Sequence, residues 1–334
     1  MNEKNEPLNA AELANMWTQY MNDTMAYCFL AHLLKHCKDA EVKKILEYAR
    51  SISKFHIESI TRILSDEKYP IPRGFSKEDV YMDAPPLFPD NLILIYLQVM
   101  SFHGLSGYAL AAGTSIRSDQ REHFAKCLKE TTDLHDRVVG VLQEKGIISR
   151  PPHIPPSQTV DFIKDESYGT GWFGKKRPLN SLEISGLFYN MEKTVLKVML
   201  DVGFGQVAHS KEVREYFMKG AKLCEKQLEI MSSILSKDFL SAPKYWQSEV
   251  TNSIVAPFSD KLMLYHVISL VSVAVAYYSA ALSVGQRRDL TLAYTRMIAD
   301  IGLFAEDGVQ LMIKNGWLEE PPSVQDREAL SKRD

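Results

Sequence analysis

An internal repeat constrains the fold of this chain more than any other feature of its sequence. The segment "PLNAAEL" at Pro7–Leu13 recurs as "PLNSLEI" at Pro178–Ile184, an offset of 171 positions. After a one-residue gap the offset becomes 170, and further matches pair Tyr108, Arg117 and Gly146 with Tyr278, Arg287 and Gly316. Matches that stay collinear along the whole length indicate a duplication, so both halves should share one fold.

Each half is predicted to contain four long helices, because apolar residues recur with helical spacing and no strand-like alternation is sustained. Asn9 and Asn180 are predicted N-caps, each followed by a glutamate three residues later, which is a variant of the capping box. Glycines at 146 and 316 suit C-terminal caps. After the caps, the predicted helices run to His36 and Ala208 and then cover Ala40–Ser65, Asp90–Ser115, Ser118–Lys145, Glu212–Ser236, Asp260–Val284 and Arg287–Asn315.

The lengths of the connections predict the topology. The first and second helices of each half are joined by a short link, as are the third and fourth, so these pairs should be antiparallel. The middle link contains prolines and is long enough to return along the bundle, which is the single crossover of ferritin-like folds. The sequence therefore predicts an all-α chain of two tandem ferritin-like four-helix bundles. The predicted boundaries are 1–150 for the first bundle, 151–177 for a linker and 178–334 for the second bundle.

Composition excludes several classes of protein. The net charge of −3 argues against a phosphate-binding face over the whole domain, so no nucleic-acid partner is expected. The four cysteines form no C-x-x-C motif, and the polar start of the chain does not resemble a signal peptide, so a cytoplasmic location is expected. The segment Leu262–Gly285 and its counterpart are apolar enough to span a bilayer. We interpret both as buried bundle helices and expect no membrane span.

The segment "GWFGKKRPLN", Gly171 to Asn180, leads into "SLEISGLFYNM". It resembles the hallmark of an uncharacterised family of spore-forming bacilli in which two ferritin-like domains occur in tandem, and which is distantly related to the coat F domain of spore coat proteins. The resemblance extends over essentially the whole chain. It implies the fold and a sporulation or stress setting, with a location that includes association with the spore, but it implies no activity.

The same linker contains "GTGWFG", Gly169 to Gly174, which satisfies the dinucleotide-binding pattern G-x-G-x-x-G. That pattern needs a strand before it and a helix after it in a parallel sheet, so a nucleotide cofactor is not expected in an all-helical chain. Instead, we predict that Trp172 and Phe173 are buried between the bundles. The basic run Lys175–Arg177 either binds an anion near the helix start at Asn180 or is simply solvated.

A di-iron centre is not expected. Ferritin-like di-iron proteins take carboxylates from two helices and Glu-x-x-His from the other two. The third helix has no acidic residue between Asp90 and Asp119, and its counterpart has none between Asp260 and Asp289. No Glu-x-x-His motif ends at His56 or at His135.

The candidate ligands for a single metal ion are His56, His103 and His135, because they lie on three different helices of the first half. Their levels argue against such a site, since His56 and His135 differ by roughly 12 Å along the bundle at about 1.5 Å per residue. A second set consists of Cys28, His32 and His36, which share one helix face and suit a soft metal. Their counterparts Met199, Gly203 and Val207 are typical of packing, which is the interpretation we favour.

The sequence therefore favours a non-enzymatic structural or interaction protein without a cofactor. Such a role leaves room for a protein partner or for self-association. The alternative is a protein that binds a single divalent metal or a small apolar ligand in a bundle core, or a divergent ferritin-like enzyme.

Overall fold

The computed structural model describes residues 6–160, 162–169 and 176–332. Its helices are α1 (Ala10–His36), α2 (Ala40–Asp66), α3 (Asp90–Thr114), α4 (Ser118–Glu144), α5 (Ser181–Val207), α6 (Lys211–Ser236), α7 (Asp260–Val284), α8 (Arg288–Lys314) and the short α9 (Arg327–Ser331). The predicted ends of the eight long helices agree within one residue, and α9 was not predicted. Within the described ranges the only β pairing is an isolated bridge between Val80 and Phe258, so the all-α fold is confirmed.

Local hydrogen bonds explain where the helices begin and end. Asn9 and Asn180 both cap their helices in full capping boxes, in which the side chain of the third helical residue returns a bond to the cap. Gly146 and Gly316 follow the ends of α4 and α8 with φ of +65° and +69°. This left-handed conformation favours glycine and lets the last turn of the helix satisfy its carbonyls.

Each half also has one buried glutamate that fixes the end of its bundle. Glu12 Oε1 accepts the backbone N–H groups of Ile116 and Arg117 at 2.9 Å, which ties the start of α1 to the turn between α3 and α4. Its counterpart Glu183 accepts the two equivalent N–H groups at 3.1 and 3.0 Å. These turns would otherwise bury unpaired donors, so the contact is needed twice, once in each bundle.

Four helices form a closed ring in each half. In the first bundle α1 packs on α2 and α3, and α4 completes the ring by packing on the same two helices. The link of residues 67–89 crosses between α2 and α3, which contact each other only weakly. Helices α5 to α8 repeat this ring, with residues 237–259 as the crossing link. Both bundles therefore have one crossover, and the duplicated architecture is confirmed.

The bundles pack together through their aromatic side chains. Phe29 is fully buried, with its ring centroid 6.3 Å from that of Phe204, 4.7 Å from that of Phe258 and 4.9 Å from that of His266. Tyr96 Oη lies 3.4 Å from His266 Nε2, and these two residues are counterparts in the repeat. A contact between counterparts lies on a pseudo-twofold axis, so the duplicated halves are arranged like the subunits of a symmetric dimer.

This interface accounts for much of the apolar character of α3 and α7. By length and composition both helices are long and apolar enough to cross a membrane, although 44% of the apolar window of α3 and 28% of that of α7 are buried inside the protein. The buried residues are concentrated in the first half of each helix, where the bundles meet. Core packing explains the composition there, and the later halves are more exposed.

The predicted contacts of Trp172 and Phe173 fall outside the described residues, as does Lys175, so the predicted burial of the aromatic pair stays a prediction. The remaining two residues of the basic run are described. Lys176 Nζ lies 2.8 Å from Asp289, and Arg177 makes two bonds of 2.8 Å to Glu183. By bonding to carboxylates of the second bundle, these two side chains fix the segment that leads into α5.

Candidate functional site

A charged cluster lies in the core of the first bundle, around His56 of α2. His56 is fully buried, with Nδ1 3.1 Å from Asp23 Oδ2 and Nε2 3.3 Å from Glu130 Oε2. The Tyr108 hydroxyl lies 3.3 Å from the same Nδ1. We call Asp23, His56 and Glu130 the charged cluster. Its carboxylates come from α1 and α4, so each element of the ring except α3 supplies one member.

Both nitrogens of the His56 ring face carboxylate oxygens, which favours the protonated form. Burial alone would lower the pKa of His56, but the Asp23 carboxylate and Cys127 outweigh it and raise the pKa to about 11. An imidazolium can then donate to Asp23 on one side and to Glu130 on the other. With one cation and two carboxylates, the charged cluster has a net charge of −1.

A cavity of about 450 Å³ lies beside this cluster, between α1 and α3. Asp23 and Tyr108 line it, so its inner wall is shared with the charged cluster. Most of the rest is apolar, with Leu97, Met100 and Leu134 among the lining residues. The lining also contains small or polar residues: Ala26, Ser53, Ser101, Gly104, Gly107 and Thr131. We call this space the first-bundle cavity.

The first-bundle cavity is open to solvent at the cleft between the bundles. Ala14, Thr18, Gly107 and Leu110 line it and are themselves exposed, Leu110 to 68%. An apolar cavity with exposed residues at its rim can be entered by a ligand from solvent, unlike a sealed core.

The second bundle has a neutral network where the first has its charged cluster. Thr194, Gln227 and Tyr278 are the counterparts of Asp23, His56 and Tyr108. Thr194 Oγ1 lies 3.1 Å from the Tyr278 hydroxyl, which donates to Gln227 Oε1 at 2.9 Å. Gln227 Nε2 donates to the carbonyl of Met297 at 3.2 Å. Each of these three side chains has a hydrogen-bond partner, and none of them is charged.

Larger side chains fill the corresponding space of the second bundle. The cavity there measures about 30 Å³, roughly one water molecule, although most of its lining residues are counterparts of those in the first-bundle cavity. Lys197 replaces Ala26, and Phe304 replaces Leu134. Lys197 Nζ donates to the buried carboxylate of Asp201. Space is so tight that a Cβ on Gly220 would lie 2.6 Å from both Asp201 and Phe304.

The entrance is closed in the second bundle as well. Tyr277 stands where the first bundle has Gly107, and Tyr189 where it has Thr18. Lys193 Nζ lies 3.6 Å from the Tyr189 ring centroid and 3.4 Å from that of Tyr277. One fold therefore has an open core in its first copy and a filled core in its second.

The family model described as "Protein of unknown function (DUF3231)" matches residues 1–160 and again residues 167–330. The chain belongs to the DUF3231 family. The two matches correspond to the two halves of the repeat, so the resemblance to an uncharacterised tandem family is confirmed. No curated protein shows significant similarity to this DUF3231 chain. A crystal structure of a "putative spore coat protein" from Bacillus halodurans is similar at 19% identity and a TM-score of 0.43, covering 46% of this chain and 100% of the other.

The DUF3231 chain does not bring its three candidate histidines together around one point. His56 belongs to the charged cluster. His135, half-buried on α4, has its Nδ1 2.9 Å from Ser101 Oγ. His103 packs beside Tyr277 and lines both cavities, and burial lowers its pKa to about 3. Its buried Nε2 has no hydrogen-bond partner in the described part of the chain.

No group of three or more His, Cys, Asp and Glu side chains that could hold a metal ion is found within residues 6–160, 162–169 and 176–332. The second candidate set, Cys28, His32 and His36, instead contacts the crossover link between α2 and α3. Cys28 Sγ, His32 Nε2 and His36 Nε2 lie 3.3, 3.0 and 3.4 Å from backbone carbonyls of that link. Burial lowers the pKa of His32 to about 4, so its ring is neutral and suits this contact.

Proposed function

We propose that this DUF3231 protein is a non-enzymatic binding protein whose first bundle takes a small, largely apolar ligand into the first-bundle cavity. One observation carries the proposal: the same position holds about 450 Å³ of space in one bundle and about 30 Å³ in the other. Ligand pockets typically measure about 300–1,000 Å³ and are mostly apolar with a few polar groups. The first-bundle cavity has this size and composition.

The filled core of the second bundle supports the interpretation that the first-bundle cavity has a function. Protein cores are normally close-packed, and the second half shows that this fold can be packed with residues such as Lys197 and Phe304. The first half instead has Ala26 and Leu134 at these positions, and Gly107 leaves its entrance open. Residues that are smaller than their counterparts on three separate helices of one half favour a retained binding site over a single packing defect.

The structural or interaction role predicted from the sequence fits the second bundle in this proposal. Its neutral network and filled core support a scaffold that fixes the orientation of the first bundle through the shared aromatic interface. The sporulation or stress setting, and a cytoplasmic or spore-associated location, enter only through the family resemblance. The absence of a di-iron centre remains part of the proposal, and the carboxylate-free stretch of α3 supports it.

The experiment is a calorimetric titration of the full chain with 1-octanol, a neutral probe with an apolar body. We expect saturable binding of one octanol per chain. The variant Ala26→Leu/Leu134→Phe places larger side chains on two walls of the cavity and should weaken binding at least about tenfold. Filling a cavity without overpacking should leave its urea midpoint equal to or above that of the wild type.

The matched control is Leu228→Met in the filled bundle, a nearly volume-conserving change at a buried position outside both cavities. It should leave octanol binding unchanged. Failure of the wild type to bind octanol would refute the proposal. So would a filled variant that folds normally and binds octanol with wild-type affinity, since the probe would then occupy another site.

A further inference from the structure

We infer that the first-bundle cavity selects a monocationic ligand, an apolar amine whose ammonium group is placed at Asp23. This inference rests on the proposed function and adds the chemistry of the ligand's head group. It follows from three features of the cavity: the charges in its lining, the net charge of the cluster behind it, and the donors and acceptors left at its inner wall.

The lining of the cavity contains one acidic side chain, that of Asp23, and no lysine or arginine. The other titratable residues of the lining are Tyr96, His103 and Tyr108, and all three are neutral. Burial lowers the pKa of His103 and raises the pKa values of Tyr96 and Tyr108 above the usual value for tyrosine. An anionic ligand such as a fatty acid would therefore place a second carboxylate beside that of Asp23 with no cation in the wall. Like charges in a poorly solvated space repel each other strongly.

The charged cluster behind the wall lacks one positive charge. Its two carboxylates face one imidazolium, and the nearest further cation is Lys126, whose Nζ is 3.8 Å from Glu130. The side chain of Lys126 is half exposed, so solvent screens its contribution. A monocation bound at Asp23 would bring the charged cluster to neutrality. Buried charges are tolerated when they are paired, so this site favours a cation over a neutral head group.

The hydrogen-bonding groups at the inner end of the cavity also suit an ammonium. Asp23 is only 6% exposed, and its carboxylate accepts a bond from His56 at one oxygen, Oδ2. Asp23 lines the cavity, and a carboxylate has more acceptor lone pairs than the bond from His56 uses, so an ammonium can donate to it from the cavity. The unpartnered Nε2 of His103, on the same lining, provides a second polar atom for the ligand.

The test compares three probes with the same chain length, octylamine, 1-octanol and octanoate, by calorimetric titration at pH 7. We expect octylamine to bind about tenfold or more tightly than octanol, since hydrogen bonds between charged groups exceed neutral ones by about this factor. Octanoate should bind most weakly. Asp23→Asn should remove the preference for octylamine over octanol, so the two probes should bind this variant with similar affinity.

Two further variants make the comparison specific. Asp23→Thr/His56→Gln copies the neutral network of the second bundle and should also bind octanol with no preference for octylamine, even if Asp23→Asn folds poorly. Asp133→Asn removes an exposed carboxylate from α4 away from the cavity, and it should retain the full preference. This control separates a local contact from the overall charge of the chain.

The outcomes distinguish the two proposals. If octanol binds but octylamine binds no better, the inference about charge is wrong and the apolar binding function stands. If the amine preference survives in Asp23→Thr/His56→Gln, the cation does not bind at Asp23 and the inference is equally wrong. If none of the three probes binds, both proposals fall together.

Discussion

Replacing His56 by glutamine should strongly destabilise the first bundle, although the second bundle uses glutamine at the equivalent position. The difference lies in the partner: His56 faces the Asp23 carboxylate at 3.1 Å, whereas the second bundle has the neutral Thr194 at the position equivalent to Asp23. His56→Gln leaves a buried carboxylate without its cation. Removing one member of a buried ion pair costs about 3–5 kcal/mol, and Asp23 is only 6% exposed.

The double variant Asp23→Thr/His56→Gln should recover most of this loss. It rebuilds the neutral network, in which the tyrosine hydroxyl donates to the glutamine and the glutamine amide donates to a backbone carbonyl of the fourth helix. Replacing a whole buried ion pair is often close to neutral, and the Glu130 carboxylate that remains is partly exposed beside Lys126. We therefore expect a stability within about 1.5 kcal/mol of the wild type. The coupling between the two substitutions should therefore exceed about 2 kcal/mol.

Urea unfolding of the wild type, both single variants and the double variant measures this coupling, with unchanged m-values as the check that the same surface unfolds. A loss below about 1 kcal/mol in His56→Gln would show that the histidine is not a buried cation, contrary to the electrostatics described above. A double variant as unstable as the sum of the two single variants would show that the residues act independently.

Three further outcomes follow from the same structure. First, burial lowers the pKa of His32 and His123 to about 4 and of His103 and His266 to about 3, so stability should fall below pH 6.5, where only the unfolded chain binds these protons. The raised pKa of His56 has the opposite sign: its contribution is complete below pH 6.5 and is lost as pH rises towards 11. The wild type should therefore lose up to about 1.4 kcal/mol per unit from pH 6.5 to 8.5, and urea unfolding should show no such loss in Asp23→Thr/His56→Gln. Second, Phe29→Ala should cost about 3–5 kcal/mol and increase the radius of gyration in X-ray scattering, because its ring joins both bundles. Phe29→Leu, which copies Leu200, should cost less than half as much, because leucine refills most of the apolar volume; equal losses in the two variants would contradict this, since they would show that leucine replaces none of the ring's contacts. Third, elemental analysis of untagged protein should find less than one equivalent of zinc, iron or manganese; one equivalent that is lost in His56→Gln would instead establish a metal site.

The sequence predicted the fold closely because the fold depends on local and repeated signals. Capping residues such as Asn9 and Asn180 mark helix starts within a few residues, and the length of the crossover links determines the ring order. Because of the repeat, each helix was supported by two aligned segments of the sequence. These features act over short distances along the chain, so they can be read without knowing which side chains meet.

The site was harder to predict because it depends on which side chains face each other across the bundle. The sequence singles out His56 as a candidate ligand but does not predict its partners Asp23 and Glu130, since each lies on another helix whose rotation the sequence leaves open. The candidate trio with His103 and His135 rested on helix membership alone. The repeat did contain a signal for the cavity. Ala26 is aligned with the larger Lys197, and Leu134 is aligned with the larger Phe304. These differences in size point to one open core and one filled core.

The most direct test of a ligand cavity confined to the first bundle is a crystal structure of the wild-type chain soaked with bromo-octanol. The anomalous signal of bromine locates the probe independently of the protein density. We predict a bromine peak between α1 and α3, within the space lined by Tyr108, Met100 and Leu134, and no peak in the core of the second bundle. Peaks in both cores, or a first-bundle core closed by repacked side chains with no bromine inside, would contradict the account.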